Sequence, residues 1–305
     1  MDDDVVFRPL DDADWLPLLD LHMALDQPDG LVTMHWAAWP AGADDTEAGL
    51  WGIEHRGELI GYASMAATPG LPGEYDMILS VAQQWRRRGL GTRFLEYVCG
   101  EAAPRGATRL SWAVWTLDSS SARFLLGRGY SVHHIERLLA RDGSLPIPGV
   151  PDRPDLALRV YSRKKAVDLF CRVTDESFAG LPWGQPFSEA EVTERLRAAK
   201  DLMFMARGRD LIGVAWLHES DGVATIEPFA IRPAFQGQGY GRQLLAAALG
   251  EAATRAAQRV TIGAWEDNAA ALALYRRFGF TDTGRIYYLA RELQVREGGI
   301  SDVGV

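Results

Sequence analysis

Three observations predict an α/β fold with a mixed sheet, built twice along the chain. Strand-like apolar runs alternate with helix-period segments, a proline- and glycine-rich stretch interrupts the chain near its middle, and the same order of signals recurs on either side of it. At 305 residues the chain exceeds what one hydrophobic core usually organises, so two domains of about 150 residues are expected.

The divider is R-D-G-S-L-P-I-P-G-V-P-D-R-P-D at 141–155, whose prolines and glycines cannot propagate a helix or a central strand. The domain boundaries read from it are 1–142, a linker at 143–155, and 156–305. The repeat is marked by L-I-G-Y-A at 59–63 against L-I-G-V-A at 211–215, an offset of 152. Gly89 and Gly91 recur as Gly239 and Gly241, Trp115 as Trp265 and Gly129 as Gly279, at an offset of 150, so one loop is two residues shorter in the second copy. This is the pattern of an old duplication, not of a solenoid with many units.

Each copy reads as an opening strand, helical segments, two hairpin strands, a longer strand, a glycine turn, a helix, a strand, a helix and closing strands. In the second copy the opening strand is L-A-L-R-V-Y-S, and a helix follows from about Lys164 to Phe178. Ser188 with Glu191 forms a capping-box pattern that starts the next helix, with Phe187 and Val192 placed as its staple. Strands follow near 202–206 and 211–217.

Composition excludes several function classes. The chain is 47% apolar with 10 Trp and 24% charged residues, a globular composition. With 32 basic against 41 acidic residues, the formal charge of −9 leaves no basic stripe for a nucleic-acid backbone. Cys99 and Cys171 are too few for a disulfide framework or a zinc cluster and are expected as core thiols. The six histidines have no metal-ligand spacing, so no metal is expected. No apolar run reaches membrane-spanning length and the start lacks a leader pattern; a cytoplasmic protein, without a membrane partner, as monomer or homodimer, is the expectation.

The informative stretch is V-A-T-I-E-P-F-A-I-R-P-A-F-Q-G-Q-G-Y-G-R-Q-L-L, where an apolar strand runs into glycines that open an amphipathic helix. Glycines let successive backbone N–H groups converge, and the helix start adds partial positive charge, so a pyrophosphate can be held without a lysine. A Walker A turn would need G-K-[ST], and a dinucleotide fingerprint a third glycine where Arg242 stands. The pattern present is Q/R-x-x-G-x-G/A, at Gln236, Gly239 and Gly241 and again at Arg86, Gly89 and Gly91.

With its two glycine turns, and with N-x-x-A-x-x-L-Y-x-x-x-G-F at Asn268, Ala271, Leu274, Tyr275, Gly279 and Phe280, the sequence resembles the GNAT superfamily of N-acetyltransferases. The tight match covers about 60 residues of each half, and the rest only through the order of elements. The resemblance implies two tandem acyltransferase domains with acetyl-CoA as co-substrate, its pyrophosphate held by the glycine turn. It implies cofactor contacts from Phe229, Ile231, Gln236, Gly237, Gln238, Gly239, Tyr240, Gly241, Arg242 and Asn268 in the second copy. In the first copy the corresponding residues are Val81, Arg86, Arg87, Arg88, Gly89, Leu90, Gly91 and Thr92. It further implies that the strand carrying Glu227 bulges and splays from its neighbour, with which the missing donor of Pro228 is compatible.

Acetyl transfer to an amine needs a proton acceptor, because a free alkyl ammonium has a pKa near about 10, and a proton donor for the departing thiolate. Glu227 is the candidate base, and its alternation with Phe229 and Ile231 predicts that the three share one strand face; a structural carboxylate is the other reading. Tyr275 is the candidate acid by resemblance, and a core tyrosine on the face of Leu272 and Phe278 is its alternative. Asn268 is an expected helix N-cap as well as a cofactor contact. Trp183, Phe187, Trp216 and Tyr287 either line an acceptor pocket or pack in the core.

The constant offset sets Met77 opposite Glu227, Leu125 opposite Tyr275 and Asp118 opposite Asn268, so the first copy lacks both proton-handling groups, with Glu74 or Asp76 as an alternative base. The expected function is acetyl-CoA-dependent N-acetylation of a small primary amine by direct attack in the second copy, with the first copy catalytically degenerate. The alternatives are a non-catalytic acyl-CoA-binding or regulatory protein, or acetylation of a cysteinyl amine as in the mycothiol-synthase type of the family, whose tandem architecture this chain resembles.

Overall fold

The computed structural model describes residues 4–25, 48–68, 70–181, 184 and 186–293. In the first half these form β1 (Val5–Pro9), α1 (Trp15–Ala24), β2 (Ala48–His55), β3 (Glu58–Ala67), β4 (Glu74–Val81), α2 (Leu90–Ala102), β5 (Arg109–Val114), α3 (Ser120–Leu126) and β6 (Ser131–Asp142). The second half contributes β7 (Leu156–Arg159), α4 (Arg163–Phe178), α5 (Glu189–Arg195), β8 (Leu202–Arg207), β9 (Asp210–Ser220), β10 (Val223–Ile231), α6 (Tyr240–Thr254), β11 (Arg259–Trp265), α7 (Ala269–Arg277) and β12 (Thr281–Glu292).

The chain forms two compact units whose borders differ from those read in the sequence at 142 and 156. Unit 1 is the chain through His133 together with the segment from Tyr288, and unit 2 is His134–Tyr287. The closing strands β6 and β12 each change unit part-way. Composition marks where regular structure stops, but not which sheet a closing strand joins; that is decided by backbone pairing, which has no local sequence signature.

In unit 1 the strand order is β1-β2-β3-β4-β5 with the end of β12 beside β5. Arg109 there bridges Glu74 at 2.5 Å and Glu292 at 2.7 Å, and the amide of Leu293 donates to Thr108 O at 2.7 Å. In unit 2 the order is β12-β6-β11-β10-β9-β8-β7, and β6 pairs antiparallel with β11 from Glu136↔Trp265 to Asp142↔Arg259. Residues 143–155 are neither helix nor strand, yet they are no loose tether. Pro151 O accepts from Gln243 Nε2 at 2.7 Å, Arg153 reaches the Tyr240 hydroxyl at 3.2 Å, and Gly143 lies so close to Ala257 O that a Cβ would clash.

Two apolar layers hold unit 2 together. On one face Leu244, Leu245, Ala248, Leu249 and Ala252 of α6, at the spacing of a single helix stripe, pack with Ile212, Leu217, Ile226, Val260 and Ile262. On the other, Phe170 of α4 and Val192 of α5 pack with Phe204, Val214 and Trp216. Each such Leu or Phe removed from water contributes about 1.5–3 kcal/mol, so the sheet is sandwiched and its ends are left for function. The predicted start of α5 is present, with Ser188 Oγ accepting from the Glu191 amide at 3.1 Å. The return half of the box is replaced, because the Glu191 carboxylate turns to Arg195 at 2.9 Å.

The strand exchange makes a prediction. Leu289, 0% exposed, lies in the C-terminal segment that belongs to unit 1. Leu289→Ala is expected to cost about 2–5 kcal/mol and to raise hydrogen exchange in β5 more than in β10; exchange raised only in β10 would contradict the assignment of this segment to unit 1.

Candidate active site

The site grows out of one irregularity in β10. Ile226 stands opposite Leu217 of β9 and Phe229 opposite Ala215, so three steps on β10 match two on β9. The extra residue is a bulge at Glu227-Pro228, where proline has no N–H to give the ladder. On its other side β10 pairs in parallel with β11 only over Val223–Ile226; beyond that the two strands part. Unit 1 repeats the parting, since β4 pairs with β5 only over Glu74–Asp76.

The bulge corrects two expectations. Glu227 does not share a face with Phe229 and Ile231, because the inserted residue shifts the alternation by one. Phe229 and Ile231 pack on the α6 and α7 side, with the Phe229 ring 6.1 Å from that of Tyr275 and nearly perpendicular to it. The Glu227 carboxylate instead feels the Arg195 guanidinium of α5, and the His218 ring bonds to the Glu227 backbone. Met77 is not the counterpart of Glu227. Met65↔Met77 matches Leu217↔Ile226, and Ala63↔Leu79 matches Ala215↔Phe229, so Ile78 alone stands where unit 2 has Glu227 and Pro228. Unit 1 therefore lacks both the carboxylate and the bulge that presents it.

Glu227 is open to solvent, yet protein atoms crowd its carboxyl enough for desolvation to raise its pKa, with Arg195 pulling the other way. Accessible and poorly solvated together describe the wall of a recess. Arg195 is held there by Glu191 and lies over the Trp216 ring at 5.6 Å. Tyr275 is 3% exposed, packs against Phe229 and Phe280, and burial raises its pKa. Among the described residues nothing hydrogen-bonds its hydroxyl. Asn268 caps α7, its Oδ1 accepting from the Ala271 amide at 3.1 Å. In unit 1 the cap is Ser119, not Asp118, because α3 is one residue shorter between its cap and Gly129. Leu125 does occupy the Tyr275 position: its carbonyl accepts from Tyr130 as that of Tyr275 accepts from Phe280.

At the end of β10 the chain turns through Gly237 (φ +73°) and Gly239 (φ +84°) into α6. Among the described residues, no acceptor meets the amides of residues 237–241, and the space over Gly237 and Gly239 is open. The same holds for residues 87–91, where Arg87 takes the left-handed conformation (φ +64°) that Gly237 takes in unit 2. Both turns therefore offer a run of backbone donors at a helix start, an anion cradle.

Several expected contact residues brace the turn with their side chains instead. Gln236 Nε2 donates to Ile231 O at 2.8 Å and Gln238 Nε2 to Ala234 O at 2.9 Å; Arg86 and Arg88 do the same to Val81 O and Gln84 O. Tyr240 and Leu90 point into the cores, as does Val81, and Thr92 Oγ1 accepts from Arg128 at 3.1 Å. Gly241 abuts Leu274, and Gly91 abuts Phe124, so each glycine allows its helix to approach the next. Arg242 and Arg87 are exposed. What sequence reasoning missed is Arg195 and His218, which act on Glu227 from α5 and β9 through the fold.

Of the aromatic candidates, Trp216 is buried and Phe187 packs on Phe170 at 5.2 Å, Tyr287 is half-buried, and Trp183 lies outside the described residues. Glu74 is committed to Arg109. Among the described residues no group of His, Cys, Asp or Glu could hold a metal, and no helix is long and apolar enough to cross a membrane.

A mixed sheet that parts beside a glycine-opened helix defines an acyl-transfer fold, present here twice; only in unit 2 do a carboxylate and a tyrosine flank the parted strand. The chain belongs to the acetyltransferase (GNAT) family, whose model matches residues 13–130 and 171–280; it is an acyltransferase that moves an acetyl group to an amine. Similar curated proteins are the mycothiol acetyltransferases of Gordonia bronchialis, 31% identical over 78% of this chain and 80% of that one, and of Amycolatopsis mediterranei, 28% identical over 88% and 96%. Similar solved structures are a GCN5-related N-acetyltransferase from Sphaerobacter thermophilus (TM-score 0.68, 19% identity, 95% and 96% covered) and a tandem GNAT protein of the clavulanic acid biosynthesis pathway (TM-score 0.63, 19% identity, 95% and 98% covered).

The open amides predict anion binding in both units. Inorganic pyrophosphate is expected to shift the amide resonances of 237–241 and 87–91, and Gly239→Glu to abolish the first set only, by placing a carboxylate against the donors. Shifts elsewhere and none in these turns would rule the cradles out.

Proposed function

We propose that unit 2 catalyses acetyl-CoA-dependent acetylation of a small primary amine by direct attack, and that unit 1 binds an acyl-CoA-type anion without turnover. The observation that carries the reading is the parting of β10 from β11, with the free turn amides after β10, Glu227 at its bulge and Tyr275 of α7 packed on its Phe229. Bound acetyl-CoA supplies the activated thioester. The amides of 237–241 hold its pyrophosphate, and the unpaired edge of β10 beyond Ile226 offers main-chain groups to an extended arm as an added strand would.

Glu227 takes the proton that the ammonium must lose before its nitrogen can attack the thioester carbonyl. Its raised pKa makes it a better base than a surface glutamate, provided it stays ionised, and Arg195 favours that ionised form. The backbone amides freed at the bulge stabilise the developing oxyanion. When the C–S bond breaks, the Tyr275 hydroxyl gives its proton to the thiolate, and the second proton that the nitrogen sheds on becoming an amide restores the phenol; burial keeps that hydroxyl protonated through the neutral range. In unit 1, Ile78 and Leu125 stand where these two groups would be, which supports binding without transfer.

The mycothiol acetyltransferase relatives, one of them 31% identical over 78% of the chain, favour a cysteinyl-type amine within the acceptor class. Mass-spectrometric detection of acetylated product across alkyl, amino-sugar and cysteinyl amines tests the acceptor directly. No product from any amine, with CoA bound, would sink the transferase reading in favour of a regulatory one.

Two kinetic predictions follow from the site. Glu227→Gln and Tyr275→Phe are each expected to lower kcat by about 10²–10⁴ with acetyl-CoA affinity retained, read by steady-state kinetics and titration. Since the working form of Glu227 is deprotonated and its pKa is raised, kcat/KM is expected to fall on acidification at a pH above the ordinary glutamate range. Arg195→Gln removes the opposing charge and should move that acidic limb to higher pH; an unmoved limb would separate Arg195 from the base.

A further inference from the structure

Unit 1 contains an open cavity of about 570 Å³ between α1, the start of β3 and the turn after β4. Its floor is apolar, from Leu21 of α1, Leu25 directly after it, and Leu59 and Ile60 of β3; its polar lining includes Asp20 and Glu58, with Arg86 at one side. That volume falls in the range of small-molecule sites. The duplicated fold provides an internal control for what belongs there.

The backbone of the two units is matched at this point. The Ala82 amide donates to Ile60 O at 2.8 Å, and the Arg232 amide donates to Ile212 O at 2.9 Å. Unit 2 covers the site with the side chain of Arg232. Its Nε bonds Glu176 of α4 at 2.6 Å, its Nη1 bonds Leu211 O at 2.9 Å, and its guanidinium lies over Phe235 at 5.8 Å. In unit 1 the same backbone position carries only the methyl of Ala82, which lines the cavity beside Leu59, the counterpart of Leu211. The first copy thus keeps the strand carbonyl position and has Asp20 and Glu58 in the lining, but carries alanine where unit 2 carries the arginine.

We propose that this cavity binds a small organic cation, a guanidinium or primary ammonium on a short apolar chain, with its charged head where Arg232 places its own in unit 2. Asp20 and Glu58 are the counter-charges, and the four aliphatic side chains take the apolar chain. Arg86 does not cancel them, because its Nε is tied to Val81 O at 2.8 Å at the strand end and the lining holds two carboxylates against one guanidinium. The site is separate from the Glu227 and Tyr275 chemistry, and gives the copy that lacks both groups a ligand of its own.

The test is calorimetric titration of the full chain with n-butylguanidinium and n-butylammonium, using neutral butylurea as the isosteric control. Saturable binding of the cations, absent for the urea, is expected. Ala82→Arg, which restores the internal guanidinium, should abolish it, and Asp20→Asn, a change at an exposed position, should weaken it by roughly tenfold or more. No saturation at about ten millimolar cation, a range weaker than useful small-ligand affinity, equal binding of the urea, or affinity unchanged in both variants would overturn the proposal. Should Ala82→Arg fail to fold, Asp20→Asn decides alone. Acetyl transfer is not the readout, so failure here leaves the transferase reading intact, and failure of that reading leaves this one standing.

Discussion

One unpaired residue in β10 shapes the candidate site of this protein. A strand with a proline at position 228 cannot complete its ladder with β9, and the bulge that absorbs the mismatch re-aims Glu227 just beyond Ile226, where the pairing with β11 ends. Buried backbone normally has partners, and a stretch of backbone deprived of them at the mouth of a sheet is costly unless water or a ligand supplies them. The free turn amides that follow extend the same condition into the start of α6. The site is therefore less a set of side chains than a length of main chain left unsatisfied between two packed layers.

The layers make that condition tolerable. The α6 and α7 stripe on one face and α4 with α5 on the other bury large side chains on both sides of β9 and β10, so the sheet holds without the lost ladder bonds. They also divide labour. Tyr275 belongs to the first layer, kept protonated by burial, while Glu227 belongs with Arg195 and His218 on the second. The two candidate proton-handling groups thus lie on opposite faces of one parted strand; desolvation raises the proton affinity of both, and at Glu227 the Arg195 charge opposes it.

Duplication let the first copy change while keeping its frame. Unit 1 retains the parted strands and the amide cradle, though with Arg87 in a left-handed conformation that costs a non-glycine residue about 1–2 kcal/mol. It has lost the bulge, the carboxylate, the tyrosine and the arginine that packs beside the turn in unit 2. These differences leave the strand order of unit 1 unaltered. The sheet of each unit is closed by residues from the other half of the sequence.

The sequence by itself determined the fold class, the duplication, the two glycine turns and the family, along with Tyr275, Asn268 and Glu227 as residues worth attention. These are encoded locally: glycine spacing, helix period and capping chemistry act within a few residues. Tertiary structure alone decided that Glu227 and Phe229 face opposite ways, that Ile78 and not Met77 stands opposite Glu227, that Gln236 and Arg86 brace their turns, and that Arg195 and His218 interact with Glu227. It also decided which sheet each closing strand joins. A bulge changes register by one residue without changing composition, and a strand's partner is set by hydrogen bonds between segments more than a hundred residues apart, so neither leaves a mark that reading along the chain can find.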